Sequence, residues 1–342
     1  MPARIPSRRG ARRLLLLAIG ATVLTVPATP ASASLLFSTG SSNAPANQRL
    51  FLARNDGSHR TQIAAGRQAL SISPNGRWAL AIDGQFRLVL IDLSNRRSRV
   101  LRGLGTNPGA WARDSSRFLA VGASGLWAVS PGRPTGTGRR LLSADGDVTL
   151  TRGAFSPSGK SVAYTSSSGD IWRVGVTGKG RRRLTTGGVS SSAAWGAREI
   201  AYARLDPKPG PNGEDFHSVW LMQDNGAHKH RLTHRRPPAF TRGYGPVQWL
   251  PNGRALIAHL IGPGTCVAQR VDAATGTVKG LSRSPLADAF SVGVSKDSRF
   301  LLALTGDPCG SGGGATLRRI PIGAPAHATI LAQHVFGAGW NR

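Results

Sequence analysis

Residues 154–166 read AFSPSGKSVAYTS: an apolar start, a Ser-Pro-Ser-Gly-Lys turn and a second apolar stretch. The phrase returns along the chain. Ile72 opens ISPNGRWALAI, Trp111 opens WARDSSRFLAV and Trp249 opens WLPNGRALIAHL. Val294 opens VSKDSRFLLAL, and Trp195 opens a shortened copy, WGAREIAYA. With Phe155 as the reference anchor, successive anchors from Ile72 to Val294 lie 39, 44, 40, 54 and 45 residues apart. A period of roughly 40–45 residues, with several short strands per unit, signals one propeller blade per repeat.

Each unit continues in the same way. An anchor strand, a, ends in a Pro/Asn/Asp/Gly turn and strand b follows. Strand c holds Gly125-Leu126-Trp127, Asp170-Ile171-Trp172 or Ser218-Val219-Trp220. A hairpin such as Asp224-Asn225-Gly226 leads to strand d, typified by Arg183-Leu184-Thr185 and Arg231-Leu232-Thr233. Gly and Asn/Asp supply the positive φ of tight hairpins. No long window keeps the i, i+3, i+4, i+7 rhythm of an amphipathic helix, so the chain is predicted to be all-β.

The two ends complement each other. Leu35 to Thr39 reads as strand b with no strand a before it, and Trp340 lies 46 residues after Val294 as a strand a with nothing after it. The C-terminal strand is thus expected to complete the N-terminal blade and close the ring. Seven anchors predict seven four-stranded blades, with six as the alternative because the Trp195 unit is degenerate.

The phrases FSPSGKSVAYTS, ISPNGRWALAI and WLPNGRALIAH, with DIWRV and RRLT downstream, resemble the repeats of TolB-type, WD-repeat-like propellers. Similar repeats occur in the propeller domains of prolyl-oligopeptidase-like enzymes. The resemblance spans nearly the whole chain after its leader and implies an exported, protein-binding propeller. TolB proteins have six blades and a separate N-terminal α/β domain, and the repeat pattern here departs from both.

Residues 1–33 carry Arg4, Arg8, Arg9, Arg12 and Arg13, then a mostly apolar run from Leu14 to Val26 and the small-residue pattern Ala31-Ser32-Ala33. This is the layout of a cleaved signal peptide. The apolar run is shorter than the ~20 residues a spanning helix needs, so no transmembrane segment is expected after cleavage. Residues 34–342 are assigned to the propeller, and the protein is expected to be secreted or held in the cell envelope as a monomer. Without the leader's five arginines, 39 basic residues face 16 acidic ones. Such a surface suits a protein or an anionic envelope polymer, and export disfavours nucleic acid.

Catalytic signatures are weak. No G-x-S-x-G frame occurs, and Gly310 to Ala315 leads into a strand-like segment and not the helix a dinucleotide site requires. His228, His230 and His234 sit among Lys229 and Arg231, which oppose a metal ion. No catalytic residue, metal or cofactor is therefore assigned. The alternative is a propeller enzyme, of lyase or lactonase type, with its site at the axial pore mouth.

Sorting connections by face separates the charges. The b–c and d–a loops share one face, and the a–b and c–d turns share the other. The turn face is expected to hold Arg77, Arg96, Arg97, Arg99, Arg139, Arg140, Lys160, Lys179, Arg181, Arg182 and Arg254. The loop face holds nine acids, Asp83, Asp170 and Asp206 among them. It also holds the two longest departures from the repeat, Arg204 to His217 and His234 to Gly245. Long loops on a rigid scaffold commonly carry function. Asp206, Glu214, Asp215, Phe216, His217, Phe240, Arg242 and Tyr244 are therefore the candidate partner-binding residues, with the aromatic rings as anchors. Cys266 and Cys309, the only cysteines, fall in loops of adjacent blades and are expected to form a disulfide.

Overall fold

The computed structural model describes residues 35–341 apart from 42, 107–108, 123, 134–137, 144–152, 209–214, 235–240, 263–264, 282–289 and 307–313. The predicted leader, residues 1–33, lies outside the described residues. No described helix is long and apolar enough to cross a membrane.

The first described strands are β1 (Leu35–Gly40), β2 (Gln48–Ala53) and β3 (Thr61–Ala65). A first complete four-stranded sheet follows: β4 (Arg67–Ile72), β5 (Trp78–Asp83), β6 (Leu88–Asp92) and β7 (Arg97–Val100). In the next unit, Trp111 bridges to Phe118, and β8 (Phe118–Gly122), β9 (Gly125–Val129) and β10 (Arg139–Ser143) extend the sheet. The Phe155 unit is β11 (Ala154–Phe155), β12 (Ser161–Thr165), β13 (Ile171–Gly175) and β14 (Arg182–Arg183). The Trp195 unit is β15 (Ser190–Trp195), β16 (Glu199–Leu205), β17 (His217–Gln223) and β18 (His230–Arg231). Then come β19 (Gly243–Trp249), β20 (Ala255–Gly262), β21 (Thr265–Asp272) and β22 (Val278–Gly280). The last unit holds β23 (Phe290–Val294), β24 (Phe300–Thr305), β25 (Ala315–Pro321) and β26 (Thr329–Trp340).

Within each unit the strands pair antiparallel in sequence order. β26 serves two partners. Its first half pairs with β25, Arg319 opposite Thr329, and its second half pairs with β1, Leu35 opposite Trp340. Among the described residues the last strand therefore lies beside the first.

The repeated phrase has a local cause. Ser73, Ser156 and Ser295 end strand a, and their hydroxyls accept the amides of Trp78 (2.9 Å), Ser161 (3.1 Å) and Phe300 (2.9 Å) at the start of strand b. Gly76 and Gly159 take the left-handed position of the turn, at φ 71° and 66°. A serine that satisfies backbone donors at a reversal stabilises it in the same way as a helix cap.

One face of a sheet cannot be buried within its own unit, so apolar clusters form between units. Leu80 and Leu90 meet Phe118 and Val129, and Leu119 and Leu126 meet Val162 and Tyr164. Ala163 and Ile171 meet Ile200 and Tyr202, and Ala201 and Val219 meet Leu256 and Ala258. Ile257 and Ala268 meet Leu301 and Ile320. Leu302 and Leu317 meet Leu35 and Phe37, and Leu36 and Leu50 meet Ala69 and Ile91. Each fully buried side chain of this size contributes about 1.5–3 kcal/mol.

The recurrent tryptophans pack into the clusters between units. Trp111 Nε1 donates to Ser71 Oγ (3.0 Å) and Trp249 Nε1 to the Ala194 carbonyl (3.1 Å), each across to the preceding unit. No described tryptophan is exposed.

Five of the eleven basic residues expected in the turns lie in strands instead. Arg97 and Arg99 lie in β7, Arg139 and Arg140 in β10, and Arg182 in β14, which are outermost strands and not turns. An outer strand has one unpaired edge, and charged side chains there oppose pairing with another chain. These five arginines therefore sit on the outermost strands of their sheets.

Candidate functional site

Three of the acids expected to line the loop face, Asp83, Asp170 and Asp206, are engaged in ion pairs with arginines. Asp170, wholly buried, receives Arg183 Nη2 on Oδ2 at 2.5 Å, while Thr185 Oγ1 donates to Oδ1 at 3.1 Å. Thr185 Oγ1 also accepts the Ile171 amide (2.8 Å), and Arg183 Nε donates to the Thr185 carbonyl (3.0 Å). Asp206 repeats the arrangement one unit later. Its Oδ2 pairs with Arg231 Nη1 at 2.6 Å and accepts from Ser218 Oγ at 3.2 Å. Thr233 Oγ1 accepts the Val219 amide (3.0 Å), and Arg231 Nε donates to the Thr233 carbonyl (2.6 Å). The recurrent Arg-Leu-Thr is thus a lock that ties strand d to an aspartate beyond strand b. Sequence reasoning missed it, although the recurrence of an Asp after strand b with Arg-Leu-Thr downstream carries the signal.

Asp83 follows a local variant. Its Oδ2 accepts Arg87 Nε (2.9 Å) and Nη2 (2.7 Å), and its Oδ1 accepts the amides of Gln85 (3.1 Å) and Arg87 (2.9 Å). Burial pushes this carboxyl up, but the hydrogen bonds from Arg87 and Gln85 outweigh it and hold the group below its ordinary value.

The insertion from Arg204 to His217 grows from this frame. The Asp206 amide donates to the Phe216 carbonyl (2.9 Å), and the Lys208 amide donates to Asp206 Oδ1 (3.3 Å). At its far end the His217 amide donates to the Arg242 carbonyl (3.0 Å), His217 Nδ1 lies 3.3 Å from that carbonyl, and the Arg242 amide donates to Ile261 (2.6 Å). Both insertions are therefore tied to each other at their bases through the parallel bridge His217–Gly243. Asp215 and Arg242 are exposed there.

Phe216 and Tyr244 are corrections to the sequence reading. Both are buried, Tyr244 against Val219 and Leu256, so neither ring is presented to a partner. Tyr244 already belongs to β19, which starts earlier than the repeat suggests. Asp206 is likewise a buried structural carboxylate. Glu214, Phe240 and Cys309 lie outside the described residues. Cys266 lies in β21.

A cavity of about 220 Å³ opens at the base of the first insertion, lined by Val189, Arg204, Leu205, Asp206, Pro207 and Trp220. The Arg204 guanidinium lies 5.4 Å from the centre of the Trp220 ring. Among the described residues no group of three His, Cys, Asp or Glu is placed to hold a metal ion. His259 is buried, stacks on Phe290 at 4.6 Å and accepts the Ser291 amide at Nε2 (2.9 Å).

No family model and no curated protein matches the chain. Solved structures do. TolB from Acinetobacter baumannii is 14% identical with a TM-score of 0.54, over 91% of this chain and 67% of its own. The β-propeller domain of the Trilobed protease from Pyrococcus furiosus is 11% identical with a TM-score of 0.58, over 88% and 95%. Oligogalacturonate lyase from Vibrio parahaemolyticus is 12% identical with a TM-score of 0.58, over 87% and 79%. Strand pairing, inter-unit packing and these likenesses agree that the chain has an all-β fold of the β-propeller type, shared with TolB structures.

Proposed function

We propose that the chain is an exported binding propeller whose loop face, around the Trp195 unit, recognises a protein or an anionic envelope polymer. In this reading residues 1–33 are a cleaved export signal, and residues 34–342 form seven blades closed into a ring by β26. The chain works as a monomer, and Cys266 pairs with Cys309. Pairing of β1 with β26 and the seven clusters between consecutive units support the closed seven-bladed count. Thiol labelling of denatured, unreduced protein checks the bridge: two reactive thiols would rule it out.

The observation that carries the binding reading is the pinned insertion. The lock of Asp206 with Arg231, Ser218 and Lys208, and the buried Phe216, fix its base. The loop is thereby free to vary without cost to the core. Replacing residues 207–215 with Asn-Gly, keeping Asp206 and Phe216, is expected to leave Tm within a few degrees and abolish capture of the partner from envelope extract. Retention of capture would overturn this choice of site.

The second reading is catalysis, favoured by the likeness to oligogalacturonate lyase. Against it, Asp83, Asp170 and Asp206 are committed to arginines and His259 to Phe290 and Ser291. Turnover of oligogalacturonate by the purified protein would favour it.

A further inference from the structure

Among the described residues only two large apolar side chains stand well exposed, Phe86 at 64% and Ile330 at 49%. Ile330 lies in β26, but Phe86 occupies the b–c turn between β5 and β6, on the same face as the insertions. Its φ is +57°, a region where a bulky side chain crowds its own backbone.

The molecule contains its own control for this position. The b–c turn between β12 and β13 is closed by the same two bonds. Ser166 N donates to Asp170 O (2.8 Å) and Gly169 N to Ser166 O (3.1 Å), matching Asp83 N to Arg87 O (3.1 Å) and Phe86 N to Asp83 O (2.9 Å). There the left-handed residue is Gly169, at φ 73°. The turn thus forms with no side chain at this place, and the fold has no need of a phenyl ring in it. Strain of this kind persists only where the surroundings over-determine it. Here they do. Asp83 holds the turn through the side chain and amide of Arg87 and the amide of Gln85, and pairs with Arg67 at 3.4 Å. Ala46 of the neighbouring unit abuts Gly84, where an added Cβ would come within 3.0 Å.

We infer that Phe86 is a preorganised docking residue for a protein partner that offers an apolar socket bordered by carboxylates. All four tip residues, Gly84 to Arg87, are exposed, so the ring projects and calls for a concave receiver. Two guanidiniums beside one carboxylate leave the tip with a net positive charge, which a carboxylate border complements. A turn fixed in advance loses little freedom on binding, the property of an interface anchor. The inference rests on the binding reading above and adds a second contact in a different unit of the same face.

The test places p-benzoylphenylalanine at position 86 of the full chain in its native host. Irradiation should give one discrete cross-linked protein, which is then purified and titrated against wild type, Phe86→Gly and Phe86→Asn. Both variants should bind at least about tenfold more weakly. Phe86→Gly should melt about 2–4 °C higher, because glycine relieves the strain. Unchanged affinity in the variants, a lower Tm for Phe86→Gly, or Phe86-dependent sedimentation with anionic lipid vesicles and no cross-linked protein would each overturn the inference. The two proposals fail separately. Binding lost in the 207–215 replacement but kept in Phe86→Gly removes Phe86 and leaves the insertion; the reverse removes the insertion.

Discussion

Gly76, Gly159 and Gly253 fill the left-handed position of the a–b turn, yet Ser115 and Ser298 hold the same position at φ 61°. Both serines gain what glycine lacks. The Ser115 hydroxyl accepts the Asn75 amide (3.0 Å) and the Ser298 hydroxyl accepts the Asn252 amide (3.1 Å), each from the preceding unit. The strain is thus offset by a bond between sheets. Ser298→Ala keeps the strain and leaves Asn252 N–H unpaired, for an expected loss on the order of 1–2 kcal/mol. Ser298→Gly loses the bond but also the strain and should fall between alanine and wild type. Thermal melts of the three proteins check the order, and an alanine variant as stable as wild type would contradict it. At this scale the tryptophans were legible, because one residue type at a fixed repeat position argues packing. Phe86 was not. A glycine or asparagine at position 86 would advertise positive φ, whereas phenylalanine hides it. Phe216 and Tyr244 were misread because loop length can be counted in a sequence, but the depth at which a loop's ends are buried cannot.

Strands c and d were legible from Asp170-Ile171-Trp172 and Arg183-Leu184-Thr185, since apolar alternation and hairpin residues are local signals. The function of the arginine in that motif was hidden, because its carboxylate partner lies beyond another strand. Arg231 and Asp206 are 25 positions apart and meet at 2.6 Å. Removing the guanidinium leaves a buried carboxylate with Ser218 and Lys208 as its remaining donors. Arg231→Ala is therefore expected to cost on the order of 2–4 kcal/mol, less than a fully buried pair because the arginine side chain is 24% exposed. Chemical denaturation measures it. A loss below about 0.5 kcal/mol would mean that the lock behaves as a surface ion pair.

For the molecule as a whole, the repeat spacing told of four-stranded units, and Leu35 to Thr39 with Trp340 told which strand lacks a partner. Trp340 packs in the cluster of Leu35 and Phe37, and its Nε1 donates to Asn55 Oδ1 at 2.5 Å. Deleting Phe336 to Arg342 strips β1 of a neighbour and removes a buried indole worth about 3–5 kcal/mol. The truncated protein should melt on the order of 10 °C lower. A truncated protein that melts like the full chain would remove β26 from the sheet that holds β1.

The double pairing of β26 also bears on the order of events in time. Leu35 and Trp340 lie 305 positions apart in the chain, and bringing such distant points together costs about 5 kcal/mol of chain entropy. The sheet begun by β1 cannot be finished until β26 has been made. A contact of such sequence separation forms slowly. Until then β1 and β4 stand without the strand that later packs beside them, and the nascent molecule exposes there the apolar surface that β26 will cover.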